Sequence, residues 1–128
     1  MEGTLNGVVE LVASDNVFID FSDYISCSAG RDTVNIMRLP VTFKGSVRVT
    51  FKCNTDYAGA SAICTVSHVR SEVTIKNQVF TANNSSKWID FSYDIDNFLI
   101  GDILSIDLKC SSNHTAQIQK IKIKGDIV

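Results

Sequence analysis

The sequence is poor in proline, carries little excess charge of either sign, and has no long apolar run. A single proline in 128 residues, Pro40, excludes a proline-rich linker or polyproline ligand. Twelve basic and fourteen acidic residues leave a net charge of -2, too weak a field to bring the chain to nucleic acid or an anionic membrane by charge alone. No stretch reaches the roughly 18 apolar residues of a membrane-spanning helix. The two histidines, His68 and His114, lie in separate segments. No Gly-x-Ser-x-Gly, phosphate loop or His-Glu-x-x-His occurs, so the chain carries no catalytic signature. The N-terminus, Met-Glu-Gly-Thr-Leu-Asn-Gly, has no basic start followed by an apolar stretch. No secretion signal is therefore expected, and the chain reads as made in a cytosol.

What is present is alternation. In Leu99 to Cys110, Gly101-Asp102 reads as a tight turn, after which Leu104, Ile106, Leu108 and Cys110 fall on one face and Ser105, Asp107 and Lys109 on the other. That period of two marks a strand with one buried and one wet face. Val47, Val49, Phe51 and Cys53 repeat the pattern, as do Ile89, Phe91, Tyr93 and Ile95. No stretch sustains a helical period. Short runs of this kind separated by turn residues predict an all-β fold, an antiparallel sandwich or barrel, with residues 1–128 as one domain.

Along the chain, Thr4 to Val12 reads as a first strand and Val17 to Asp20 as a second extended piece. Asp20 to Arg31 reads as irregular, with a short strand at Tyr24-Ile25. Thr33 to Leu39 fits either a plain strand with Val34, Ile36 and Arg38 on one face or one with Val34, Ile36 and Met37 across a bulge, and Pro40 suits an edge or a joint. Residues 1–40 fit either extra strands or an extended arm. Ala60 to Val66 and Val69 to Ile75 follow, with Val73 and Ile75 expected inward, a hairpin turn at Lys76-Asn77-Gln78 and a return strand at Val79-Phe80-Thr81. In the last strand the inward set shifts from Ala116 and Ile118 to Ile121 and Ile123, which predicts a β-bulge near Gln119-Lys120. Lys120, Lys122 and Lys124 read as guards against edge pairing.

The residues capable of chemistry give mostly structural readings. Cys53, Cys64 and Cys110 stand in phase with apolar neighbours, as buried free thiols do, with a disulfide as the alternative. Cys27, between Ser26 and Ser28, is the one expected at the surface. The four cysteines have no Cys-x-x-Cys or zinc spacing, so neither metal nor cofactor is expected. His68 continues the inward phase of Ala62, Cys64 and Val66 and reads as a satisfied, half-buried histidine. Asp90, Asp94, Asp96 and Asp102 read as solvated carboxylates, a calcium site being the alternative only if the loop doubles back to bring several oxygens together. Trp88 points opposite Ile89 and Phe91. With Tyr57, Asn83 and Asn84 it forms the candidate ligand-binding set, a sugar-stacking platform or subunit contact, while a cap on the core is the alternative.

The strand Gly-Ser-Val-Arg-Val-Thr-Phe, an Ala-rich hairpin, Trp-Ile-Asp-Phe-Ser-Tyr-Asp-Ile, Gly-Asp-Ile-Leu-Ser-Ile and a closing Ala-Gln-Ile-Gln-Lys-Ile-Lys-Ile occur in that order between residues 41 and 127. This order resembles the jelly-roll-like β-sandwich modules of bacteriophage and prophage tail, baseplate and fibre proteins. Carbohydrate-binding jelly rolls share much of the pattern. The resemblance carries no site residue. It implies a non-enzymatic, virion-located module, assembled in the host cytoplasm, that forms a homo-oligomer, meets other virion proteins or attaches to a cell-surface polysaccharide. A free-standing carbohydrate-binding module is the second reading.

Overall fold

A computed structural model describes residues 18–20, 27–83 and 86–127. Among the described residues nine strands follow in chain order: Phe18–Asp20 (β1), Cys27–Ala29 (β2), Val34–Pro40 (β3), Gly45–Thr55 (β4), Ala62–Arg70 (β5), Val73–Ala82 (β6), Ile89–Phe98 (β7), Ile103–Cys110 (β8) and Ala116–Ile127 (β9). One sheet holds five strands in the order β1-β9-β4-β7, with β2 also on β9, and the other holds four in the order β3-β8-β5-β6.

The pairings nest. β5 pairs with β6, β4 with β7, β3 with β8, and β1 and β2 with β9, all antiparallel. The chain is thus one long hairpin whose tip is β5–β6. Its successive rungs are laid alternately in the two sheets, which rolls the hairpin into a jelly roll. The pairs β5–β8 and β4–β9 close the roll. The sequence is therefore an all-β, antiparallel, jelly-roll-like sandwich.

Alternation decides which atoms fill it. Val47, Val49, Phe51 and Cys53 from β4 and Leu104, Ile106, Leu108 and Cys110 from β8 are all within 2% of complete burial. These two central strands face the same interior from opposite sheets, with Ile118, Ile121 and Ile123 of β9 beside β4. The bulge expected near Gln119-Lys120 is present: Thr50 pairs with Lys122 but Lys52 with Gln119, and Lys120 takes a φ of 59°. The bulge in β3 likewise falls between Asn35 and Met37. Gly125 is a close-approach glycine, since a Cβ there would stand 2.4 Å from Cζ of buried Phe43.

Several expectations are corrected. The β5–β6 hairpin turns at Ser71-Glu72, both with positive φ (51° and 65°), and not at Lys76-Asn77-Gln78, which lie within β6. Val73 and Ile75 are 61% and 46% exposed rather than inward, on β6, the outer strand of its sheet. Val79-Phe80-Thr81 belongs to the same long strand. The lysines of β9 guard no edge, since β9 is flanked by β4 on one side and by β1 and β2 on the other. Asp102 is 2% exposed, not solvated, whereas Asp90, Asp94 and Asp96 are exposed. The strand expected over Thr4 to Val12, that at Tyr24-Ile25, Asn84 and the side chain of Cys27 lie outside the described residues.

Candidate functional site

The nested hairpin sorts the connections into two ends. The segments after β2, β4, β6 and β8 share one end, and those after β3, β5 and β7 share the other. The candidate residues Tyr57, Asn83 and Trp88 all come from the first end, two of them in loops and Trp88 just before β7. Thr115 donates its N–H to Asp56 Oδ1 at 2.8 Å, and Asp56 returns an N–H to the Thr115 carbonyl at 3.0 Å. The Ser61 N–H donates to Ser111 Oγ at 2.8 Å and the Ser61 hydroxyl to Asn83 Oδ1. Tyr57, 51% exposed, stacks on His114 with ring centroids 4.0 Å apart and planes 11° from parallel. A Cβ on Gly59 would meet the Tyr57 ring at 2.6 Å, so glycine lets the loop lie against it. Trp88 is half-buried. The loop end therefore presents one stacked aromatic pair, and Asn83 is bonded across the same end through Ser61 to Ser111.

The opposite end holds a dense ionisable cluster. His68 Nε2 and Asp102 Oδ2 lie 2.6 Å apart, both side chains almost fully buried, and the His68 ring stacks on Phe98 at 3.8 Å. Arg70 donates Nη2–H to Asp102 Oδ2 at 2.8 Å and to the Asn97 carbonyl at 2.8 Å, and the Leu99 N–H donates to the same carboxylate at 2.8 Å. Burial pushes the Asp102 carboxyl up, but the bonds from Arg70, His68 and the Leu99 amide outweigh it and hold it well below the usual carboxylate range. A His–Asp pair can orient a general base, but that use needs a nucleophile or substrate within reach. Every observed partner of this cluster is a structural donor, and the pair is sealed from solvent. The cluster clamps the turn between β7 and β8 onto β5. Its members lie 34 residues apart, a separation that no local motif reveals.

The outer face of the five-stranded sheet is the third region. Arg48 Nε donates to Asp94 Oδ1 at 2.7 Å and Lys52 Nζ lies 3.0 Å from Asp90 Oδ1. Both pairs cross between β4 and β7, at the register positions Arg48–Asp94 and Lys52–Asp90. The Arg48 guanidinium holds the exposed Asp94 carboxyl below its ordinary value. Among the described residues no group of three or more His, Cys, Asp or Glu side chains could hold a metal ion, and no helix is long and apolar enough to cross a membrane.

Two interlocked antiparallel sheets with this pairing define the jelly-roll class, and solved structures place the chain beside viral capsid folds. The VP2 subviral particle of infectious bursal disease virus matches with a TM-score of 0.58 at 10% identity, over 87% of this chain and 32% of that one. The Gt strain of the same virus gives 0.60 at 12% identity over 87% and 32%, and its T=1 particles 0.59 at 12% over 88% and 31%. The chain thus spans about a third of the length of those proteins, and at such identities the likeness is one of fold. The resemblance to viral β-sandwich modules drawn from strand order holds at that level. No protein-family model matches the sequence, and no characterised protein matches it in sequence.

Proposed function

We propose that the chain is a non-enzymatic structural module of a virion-type assembly, working through contacts with further copies of itself, with other virion proteins or with a host surface. In this reading residues 1–128 form one domain, located in the virion and assembled in the host cytoplasm. The phage-type tail or fibre setting rests on the strand order quoted above, and the fold likeness to capsid proteins supports a structural role.

The observation that carries the reading is β6. It is an outer strand of ten residues whose second backbone edge is unpaired within the described residues, and Val73, Ile75 and Val79 are exposed on it by 61%, 46% and 50%. An apolar edge left open is a template for another chain, and soluble monomers ordinarily blunt it with charge. β6 has one charged residue, Lys76. Behind it Phe80, Phe91 and Tyr93 make a half-buried aromatic seam between the sheets, with Phe80 centroids 5.2 and 5.7 Å from the other two.

A second reading, a carbohydrate-binding module at the loop end, is favoured by the exposed Tyr57 stacked on His114, with Asn83, Asn84 and Trp88 from the neighbouring connection. Light scattering separates the two. Assembly gives a mass that is a multiple of 14.1 kDa, returning to the single-chain value in Ile75→Lys/Val79→Lys. A wild-type chain that stays monomeric, and whose retention on a polysaccharide column is lost in Trp88→Ala, contradicts assembly and favours the second reading.

A further inference from the structure

We propose that the outer face of the five-stranded sheet binds an anionic polysaccharide, through a hollow between β4, β7 and β9 whose cationic contacts are Lys52, Lys120 and Lys122. Because β9 lies inside the sheet, its lysines are not needed to guard an edge, and their alignment calls for another use. The hollow is about 480 Å³ and open to solvent; Thr50, Ser92 and Asp90 also line it.

The charges on this face are sorted by strand. β7 carries Asp90, Asp94 and Asp96, and β4 carries Arg48 and Lys52, which the cross-strand ion pairs tie to Asp94 and Asp90. β9 adds Lys120, Lys122 and Lys124, all exposed. Among the described residues none of these three has an ion-pair partner. Among the described residues the hollow therefore holds three cations against one carboxylate. The register sets Asp20 of β1 opposite Lys122 on the far side from β4. The bulge at Lys120 contributes directly: with φ at 59° it packs one extra residue into β9 opposite Thr50 and Lys52, bringing two lysines to a stretch that would otherwise present fewer.

The lining favours a sugar polymer over nucleic acid. Binding single-stranded nucleic acid without sequence preference relies on exposed rings that stack bases, and the rings at this hollow, Phe51 and Phe91, belong to the core side, Phe51 being only 2% exposed. The Asp90 carboxylate, 77% exposed and paired with Lys52, accepts hydrogen bonds from sugar hydroxyls. Thr50 and Ser92 add hydroxyls that donate and accept, while lysine ammonium groups meet sulfate or carboxylate substituents as point charges. A polymer that carries both hydroxyls and anions matches this mixture. The site is independent of the assembly reading, since a single chain carries all of it.

The test is retention on immobilised heparin at low salt, with titration against soluble heparin, neutral dextran and an RNA homopolymer. The wild-type chain is expected to bind heparin, to release it as salt rises and to ignore dextran. Lys120→Gln/Lys122→Gln is expected to lose at least tenfold in affinity. Lys76→Gln/Lys109→Gln, an equal loss of charge on the other sheet, should stay within twofold. Lys122→Gln alone serves if the double variant melts early. No wild-type retention, equal losses in the two double variants, tighter binding to RNA than to heparin, or loss only in Trp88→Ala would each overturn the assignment. The oligomer mass is read separately, so failure here leaves the assembly reading standing.

Discussion

Replacing Asp102 by asparagine is expected to destabilise the fold by about 3–5 kcal/mol at neutral pH, the usual cost of removing one member of a buried ion pair. Asparagine keeps the shape of the side chain. It loses the negative charge that accepts from Arg70, His68 and the Leu99 amide at 2.6 to 2.8 Å, and its NH2 must face one of those donors. The effect has a pH signature. The folded-state pKa of Asp102 lies below its unfolded value, so the carboxylate stabilises the fold fully above the unfolded pKa of about 3.9. That contribution is lost as the pH falls through the lower folded-state value. The asparagine variant has no such titration, so the stability gap between the two proteins should narrow at acid pH. Urea unfolding at pH 7 and pH 3 measures it. A gap below about 1 kcal/mol at pH 7, or one equally wide at both pH values, would show that the cluster does not clamp the turn.

Phe51→Ala should cost about 3–5 kcal/mol, the range for truncating a buried aromatic ring. Phe51 is 2% exposed at the centre of β4 and packs edge-on to Phe80 of the opposite sheet (5.4 Å, 84°) and against Phe91 (5.5 Å). Its removal opens the interior where the two sheets meet. Val79→Ala, at a half-exposed site on β6, should change stability by no more than about 0.5 kcal/mol. Denaturant unfolding of the two variants side by side checks the contrast, and similar losses in both would mean that the seam between β6 and β7 is not arranged as described.

The parts of the fold legible in the sequence are those where burial is one-sided and uninterrupted. β4 and β8 are central strands, so every second residue meets the opposite sheet and the period of two is written without a break. The bulge in β9 was legible for the same reason, because a change of phase in a buried strand must be absorbed by an extra residue. β6 was misread because it is an outer strand. Exposure there obeys no period, and apolar Val73, Ile75 and Val79 mimic an inward set. Its turn was hidden too, since positive φ at two successive positions is usually signalled by Asn-Gly or Asp-Gly, and here Ser71-Glu72 adopt it. The nested pairing could not be read at all, because which rung faces which is a property of long-range contacts.

Of the candidate site, the placement of Tyr57, Asn83 and Trp88 in connections was legible from polar composition, while the stacking of Tyr57 on His114 was not. Those two residues are brought together only by the return of β9 beside β4. His68 reads from the sequence as half-buried, whereas it is 1% exposed, and its partner Asp102 reads as solvated because it follows a glycine in an apparent turn. Gly101 does take a positive φ of 95° there. The turn folds back onto β5 instead of outward, and this buries the carboxylate against Arg70.

The most direct test of the sandwich itself uses the thiols on its two inner faces. Cys53 lies in the five-stranded sheet and Cys64 and Cys110 in the other, all three buried. The hydrogen bond with Cys53, reinforced by burial, pushes the Cys64 thiol up and away from the reactive thiolate. In a Cys27→Ser chain, titration with an aromatic disulfide reagent should find no reactive thiol in native buffer and three after denaturation. A thiol that reacts stoichiometrically in the native protein would mean that the two sheets do not close over a shared interior.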